Sequence, residues 1–378
     1  MAFTVCNKAP FRADVVGSFL RPDKLKNARN LYRQGLLDAA GLKAVEDECI
    51  AELIEKEIKH GLRGITDGEF RRSWWHFDFM WGLGGIKRIE TKEGSHFVGI
   101  DTRAESAAIE GKLSGKNHPF VEHFKFVKQF ESKGTGLQAR QTVPAPAQTL
   151  TALFNLRNSG EAQSASWRDF YTSEEELAEA LGAAYREVFA DLYAAGCRSI
   201  QLDDCAWAAL CDPDAVIQKN IDVARLSELY LLANNACLKD KPEDLTICTH
   251  YCRGNYRSHY FSKGGYDAVA DTLFAKENVD GFYLEYDDER SGSFEALKKI
   301  PENKKVVLGI ITSKTPALEN LQALEARVHE AAKFFPLDNL CVSPQCGFAS
   351  TEEGNELTEA QQWAKVDLVV ELAQRIWG

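Results

Sequence analysis

The chain has 378 residues, 44% hydrophobic and 27% charged, with a net charge of −11. That length holds one large α/β domain or two ordinary ones, and the acidic balance argues against nonspecific nucleic-acid binding, which relies on Lys and Arg to displace counterions. No stretch reaches the roughly 18 uninterrupted apolar residues of a membrane helix, and Met1–Pro10 has no charged region leading into an apolar one, so a cytoplasmic location is expected.

Taken in chain order, eight short apolar or β-branched segments recur: Asp14–Phe19, Gly64–Glu69, Ala139–Pro146, Cys197–Asp204, Leu245–Cys252, Gly281–Tyr286, Lys305–Thr312 and Leu340–Gly347. Most are continuous apolar runs, the pattern of parallel strands buried on both faces. Helical patterns separate most of them. Val45, Cys49, Ile50, Leu53, Ile54 and Ile58 share one face before Gly61. Ser173 and Glu176 form a capping-box pattern ahead of Leu177, Leu181, Tyr185, Val188 and Leu192, with Gly196 as the stop. Thr358 and Gln361 open the last helix.

Strands alternating with helices in this way predict a (β/α)8 TIM barrel in one domain spanning 1–378. A doubly wound open sheet is the alternative, weakened because no Gly-x-Gly-x-x-Gly follows any strand. About residues 81–138, the chain between the second and third strands is too long for a loop and helix. It is expected to be an insertion with β-rich character, and His118–Val127 reads there as strand-like alternation.

In a barrel, functional side chains gather at the C-terminal strand ends. Those ends carry Gly17-Ser18, Asp67-Gly-Glu69, Asp203-Asp204, His250 with Cys252, Glu285, Thr312-Ser-Lys314 and Cys346. Two sulfurs, an imidazole and a carboxylate are ligand types that zinc accepts. His-x-Cys places its two side chains on one side of a strand. The competing reading is a core cysteine and a hydrogen-bonded histidine. Asp203 could instead cap a helix, and Glu69 could pair with Arg71 or Arg72. Carboxylates buried in a barrel mouth need a partner, and a substrate ammonium would serve. The other cysteines of the ten read as small buried apolar residues.

These motifs together resemble the C-terminal catalytic domain of cobalamin-independent methionine synthase, in its short single-domain form. The resemblance is carried by Val16-Gly-Ser-Phe19, Asp67-Gly-Glu-Phe70, Ile200-Gln-Leu-Asp-Asp204, Thr249-His-Tyr-Cys252, Phe282-Tyr-Leu-Glu285 and Val342-Ser-Pro-Gln-Cys-Gly347. It covers nearly the whole chain apart from the insertion. It implies a TIM barrel, a zinc ion on His250, Cys252, Glu285 and Cys346, and homocysteine bound by Ser18, Glu69 and Asp203. It also implies a methyltransferase of methionine biosynthesis; the expected donor is 5-methyltetrahydrofolate or, given departures from the family at Lys314 and Ala152, a methyl-corrinoid carried by another protein.

Three departures accompany the resemblance. Full-length relatives carry an additional N-terminal barrel that helps bind folate, for which no counterpart is expected here. Lys314 stands at the family's proton-donor histidine and would suit that role best with a lowered pKa. Ala152 stands where the family has a tryptophan beside the pterin, and Trp74–Phe77 offers either another donor surface or ordinary packing. The rival functions are alkyl transfer to another small thiol and a non-catalytic metal-binding barrel. An isologous homodimer is expected only from the prevalence of twofold oligomers.

Overall fold

The computed structural model describes residues 8–155 and 166–378. Residues 1–7, part of the segment read for a secretory signal, lie outside the described residues. Twelve strands are labelled in chain order. They are β1 Gly64–Ile65, β2 Gly84–Glu90, β3 His96–Phe97, β4 Ile100–Asp101, β5 Glu105–Ser114 and β6 Gln138–Ala139, then β7 Gln141–Pro144, β8 Ser199–Asp204, β9 Thr246–Tyr251, β10 Gly281–Glu285, β11 Lys305–Ile311 and β12 Leu340–Pro344.

The core is an all-parallel six-stranded sheet in the spatial order β12-β11-β10-β9-β8-β7. Space follows sequence without a reversal, so this sheet lacks the switch point that defines a doubly wound fold. β7 to β10 and β12 are buried at every residue. Burial on both faces is why the apolar residues of these segments do not follow a strict alternation. Helices return the chain between strands, among them Glu174–Ala194 and Val223–Cys237, which pack against each other. The fold is therefore α/β and TIM-barrel-like.

The first two expected strands are shorter than predicted. Around Asp14–Phe19 the backbone makes only the parallel bridge Ala13–Val342, with Asp14 N donating to Val342 O at 3.0 Å and Val342 N to Arg12 O at 2.9 Å. Gly17, at φ +126°, then turns the chain. The expected strand Gly64–Glu69 reduces to β1: the Thr66 amide donates to Glu57 Oε2 at 3.1 Å, and Gly68 and Glu69 beyond it both adopt φ 61°. Left-handed backbone cannot continue a ladder. β1 pairs with β6 in parallel, and Phe19 N donates to Gly68 O at 3.1 Å. Inside the strands, Arg140 donates to Asp14 Oδ1 at 2.9 Å and to Tyr283 Oη at 2.8 Å, while Tyr283 donates to Asp14 Oδ2 at 2.8 Å. This buried network joins the first segment, the β6–β7 junction and β10.

The helical expectations hold with one adjustment. The apolar face that includes Cys49 and Ile54 lies on a helix from Ala39 to Lys59. Thr358 and Gln361 make a full capping box. Ser173 caps its helix through Glu176 N, but the Glu176 carboxylate reaches Thr172 instead of closing the box on Ser173.

Within 81–138 the expected β-rich character is present. β2 and β5 form an antiparallel ribbon, and β3 pairs with β4. The strand expected near His118 is instead a helix, Phe120–Lys128. Phe124 and Phe126 flank Lys125 in the alternation that suggested a strand, but Phe120, Phe124 and Val127 fall at i, i+4 and i+7 on one buried helical face. The ribbon is tied to the C-terminal side of the sheet: Trp74 Nε1 donates to Glu105 Oε2 at 2.7 Å, and Arg103 pairs with Glu352 and Glu353. Val98 N donates to Tyr260 O at 3.0 Å, placing the ribbon tip over the loop that follows β9. No described helix is long and apolar enough to cross a membrane.

Candidate functional site

Every second residue of β9 faces the strand interior. Cys248 packs there with Tyr283, Val307 and Cys341 as a small apolar floor, and His250 and Cys252 follow at i+2 and i+4. The chain after β12 bends back through Gln345, Cys346 and Gly347. The result is a buried trio, His250, Cys252 and Cys346, whose ligand atoms all lie within 4.8 Å of one another. Three of the four expected metal ligands are thus brought together.

Glu285, the fourth, is fully buried on the neighbouring strand. Its charge helps to hold both cysteine thiols above their ordinary pKa. Its oxygens are already engaged. Oε2 accepts Arg253 N at 2.5 Å, and Oε1 accepts Arg290 Nη2 at 3.1 Å and Lys314 Nζ at 3.4 Å.

His250 is fixed at both ring nitrogens: Nδ1 lies 3.0 Å from Asp203 Oδ1 and Nε2 lies 3.0 Å from the Gln345 carbonyl. Burial would lower its pKa, but the bond to Asp203 and the neighbouring charges push it up to about 9. The contact with Cys205, then burial, holds the Cys252 thiol well above its usual value; Cys346 is raised by Cys252 and by burial. Gly254 N donates to Cys252 Sγ at 3.4 Å. Two thiols and an imidazole at this spacing are the sulfur and nitrogen donors that zinc prefers.

Two of the expected substrate residues adjoin the trio, Asp203 through His250 and Ser18 through Gly347 beside Cys346. Ser18 is buried beside Gly347. A Cβ on that glycine would stand 1.9 Å from Ser18 Oγ. Glu69 is buried in a left-handed turn; Oε1 accepts Arg72 Nη1 at 3.1 Å and Thr142 Oγ1 at 3.0 Å, while Oε2 has no partner. Burial, and the charge of Asp203 nearby, push Glu69 up to about 7 against the pull of Arg72. Asp203 Oδ1 also accepts Gln201 Nε2 at 2.8 Å. Asp204, by contrast, is structural. It accepts from Ala206 N, Trp207 Nε1 and Asn234 Nδ2.

Lys314 sits in the site but does not have the lowered pKa that a proton donor there would want. Burial favours neutrality, but Glu285 and Asp287, the latter at 2.9 Å, outweigh it and raise the pKa. Ala152 lies partly buried on the helix Pro146–Asn155 and contributes no ring. Trp75, His76 and Phe77 stack in succession, Trp74 meets His76 and Phe77 edge-on, and Trp75 N donates to Ser350 O at 2.9 Å, next to the Cys346 loop.

Sequence reasoning passed over Cys205, Arg290 and Gln345. The signal for Cys205 was its place directly after Asp203-Asp204. Arg290 had none, since it reaches Glu285 from a 3-10 turn. A separate cavity of about 560 Å³, lined by Arg29, Arg33, Arg71, Arg88 and Arg103, contains none of the trio, and each of these arginines is paired with a carboxylate.

Fold and site together define an α/β protein with a thiol-rich, metal-competent centre at its strand ends. Residues 162–374 match the family described as the catalytic domain of cobalamin-independent synthase. The Bacillus subtilis (strain 168) protein YxjH is 41% identical over 374 residues, covering 98% of this chain and 96% of that protein. The 5-methyltetrahydropteroyltriglutamate–homocysteine methyltransferase of Klebsiella pneumoniae is 25% identical over 88% of this chain and 39% of its own length. A Listeria monocytogenes structure, named as a candidate vitamin-B12-independent methionine synthase, is 37% identical, covers 98% of this chain and 99% of its own, and superposes with a TM-score of 0.76. The B12-independent methionine synthase of Shewanella sp. W3-18-1, at 20% identity and a TM-score of 0.72 over 97% of each chain, shares the fold. The chain belongs to the cobalamin-independent methionine synthase family, as one of its short members.

Proposed function

We propose that this chain is a zinc-dependent methyltransferase that transfers a methyl group to the thiol of homocysteine and forms methionine. The observation that carries the reading is the buried trio of His250, Cys252 and Cys346, set beside a buried carboxylate with one unpartnered oxygen. In this reading the parallel strands, with residues 12–19 and β1, close into a (β/α)8 barrel. Residues 1–378 are one domain, and 81–138 are an insertion. The bonds from Asp14 to Val342 and from Phe19 to Gly68, together with the Arg140–Asp14–Tyr283 network, support that closure.

His250, Cys252 and Cys346 would hold the ion, with Glu285 as the carboxylate donor that the family resemblance implies. Zinc, when bound, supplies the positive charge that keeps a substrate thiol deprotonated near neutral pH. The remaining work belongs to the chain. Glu69 Oε2 needs a donor, and an amino acid's ammonium is the right one. Asp203 orients His250 through Oδ1 and offers Oδ2 to the same ammonium. Ser18, at the turn after Gly17, would present its hydroxyl to the carboxylate. Lys314 keeps its proton and holds Glu285 in place, so the proton-donor role would require it to leave Asp287 first. Held at both ends, the substrate would be confined with its thiol at the trio.

A donor-by-acceptor assay with the purified full chain tests this. Labelled 5-methyltetrahydrofolate and methylcobalamin are each offered with homocysteine, and with other small thiols as controls. Labelled methionine from one donor is the expected result. If neither donor labels methionine, the reading fails.

A further inference from the structure

We propose that Gln201 is a further substrate-binding residue: its Oε1 is the third acceptor of the substrate's ammonium, beside Glu69 and Asp203, and it restricts the site to primary amines. The proposal rests on the function proposed above and deepens it. Gln201 lies on β8, two residues before Asp203 and so on the same face of the strand. It is fully buried. Its Nε2 donates to Asp203 Oδ1 at 2.8 Å and to Val16 O at 2.7 Å, just ahead of Ser18. In the β7–β8 register its direct partner is Thr142, whose hydroxyl lies 3.0 Å from Glu69 Oε1. Gln201 is thus tied to Asp203 directly, to Glu69 through Thr142, and to the turn that carries Ser18.

The orientation of the amide is fixed by its neighbours. A backbone carbonyl and a carboxylate oxygen both accept, so the atom that faces Val16 O and Asp203 Oδ1 is the nitrogen. Oε1 is therefore the oxygen that remains, and it is buried without a partner. A buried acceptor left in this way is costly until something donates to it. Glu69 Oε2 is orphaned in the same manner.

A primary ammonium has three N–H donors and no acceptor. In the proposed pose Glu69 Oε2 and Asp203 Oδ2 take two of them, and the third would be stranded in a buried site. Gln201 Oε1 supplies the missing acceptor, so both orphaned protein oxygens and the remaining N–H are satisfied together. The requirement is also selective. A secondary ammonium, as in N-methylhomocysteine, has one donor fewer and sets a methyl group against an acceptor that then stays unpaired.

The test is calorimetry on the full chain in the presence of zinc, with homocysteine and N-methylhomocysteine as ligands and no methyl donor. Wild type is expected to bind homocysteine about tenfold or more tightly than the N-methyl compound, the worth of one hydrogen bond to a charged group. Gln201→Met keeps the approximate size and removes the acceptor. It also removes the two Nε2 bonds, but that loss falls on both ligands alike, so the ratio between them is the readout. The ratio should fall to about one. A preference that survives Gln201→Met intact would mean that Gln201 only positions Asp203 and Val16, and it overturns the proposal. Equal binding of the two compounds by wild type overturns it without any variant, while leaving the proposed function standing. If wild type binds neither compound, the proposed function fails and this proposal with it.

Discussion

Asp203 Oδ1 stands 3.0 Å from His250 Nδ1, and the two residues are also direct partners in the β8–β9 register. The carboxylate that the family resemblance assigns to substrate is therefore also the group that sets the orientation of the imidazole in the proposed metal site. Such a partner fixes the tautomer and raises the basicity of the ring. Asp203→Asn keeps the size but removes the charge. Zinc affinity should fall about 10- to 100-fold, read by chelator competition. If only the homocysteine KM changes and the metal affinity holds, the coupling between the two sites is absent.

Glu69 makes a separate prediction, about acidity. Buried beside Asp203, its carboxyl is raised to about 7 in the free protein. Below that pH it is protonated and cannot pair with an ammonium; above it, the ionised form can. Homocysteine binding should strengthen as pH rises through about 7, measured as KM or by calorimetry between pH 6 and 8. Glu69→Gln should flatten that dependence and lower kcat/KM by roughly 10- to 100-fold, the worth of one charge-assisted bond. Zinc content should stay unchanged, which separates this variant from Asp203→Asn.

The strand ends were legible because buried parallel strands leave a simple trace: an apolar run that stops at a polar residue. His250 and Cys252 after Thr246–Thr249 are the clearest case, and their partners followed from the ends of the neighbouring runs. Other features depend on information that a linear pattern does not carry. The Phe120–Lys128 helix carries a short alternation around Lys125 that imitates a strand, while its buried residues follow the helical period. The left-handed Gly68-Glu69 pair keeps the expected strand from running on to Glu69, and the apolar pattern is silent on backbone angles. The grip of Arg290 and Lys314 on Glu285 comes from two different loops, so neither neighbour nor spacing announces it. Cys205 looked like any small buried residue until the turn after β8 set it against Cys252.

Gly347 is the tightest steric point of the site. A Cβ there would lie 1.9 Å from Ser18 Oγ, 3.0 Å from Ser18 Cβ and 3.2 Å from Ser18 N, so backbone as well as side chain obstructs it. Its carbonyl is also held by Asn255 Nδ2 at 2.8 Å and Ser313 Oγ at 2.9 Å, which limits how far the loop can retreat. Gly347→Ala should therefore push Ser18 and Cys346 apart, with a loss of about 1–3 kcal/mol of stability and of most homocysteine binding. Adding Ser18→Ala removes the closest contact, so the double variant should recover part of the lost stability in denaturant melts. Strict additivity would mean that the two residues do not press on each other.

Glu57 supplies a pH test of the fold away from the trio. It is fully buried, and burial pushes its carboxyl up to about 8, against the bonds from Thr66. Glu57 Oε2 accepts Thr66 N at 3.1 Å, and Oε1 lies 3.0 Å from Thr66 Oγ1. The Thr66 hydroxyl has one hydrogen, and Gly17 O, also at 3.0 Å, can take it. A protonated Glu57 then donates to Thr66 Oγ1, and every bond in the chain from helix to β1 to Gly17 is made. The unfolded chain releases that proton near the ordinary value of about 4.5, whereas the folded chain keeps it to about 8. The folded state binds the extra proton between these limits, so stability is full below pH 4.5 and falls as pH rises through 8, by roughly 3–5 kcal/mol in all. Glu57→Gln replaces the acid hydroxyl with an amide N–H donor and has nothing to ionise. Its stability should match wild type near pH 5, exceed it above pH 8, and show a shallower slope between, measured by urea melts across that range. If the two slopes coincide, Glu57 is ionised in the folded protein, and Thr66 must give its hydrogen to Glu57 and leave Gly17 O without it.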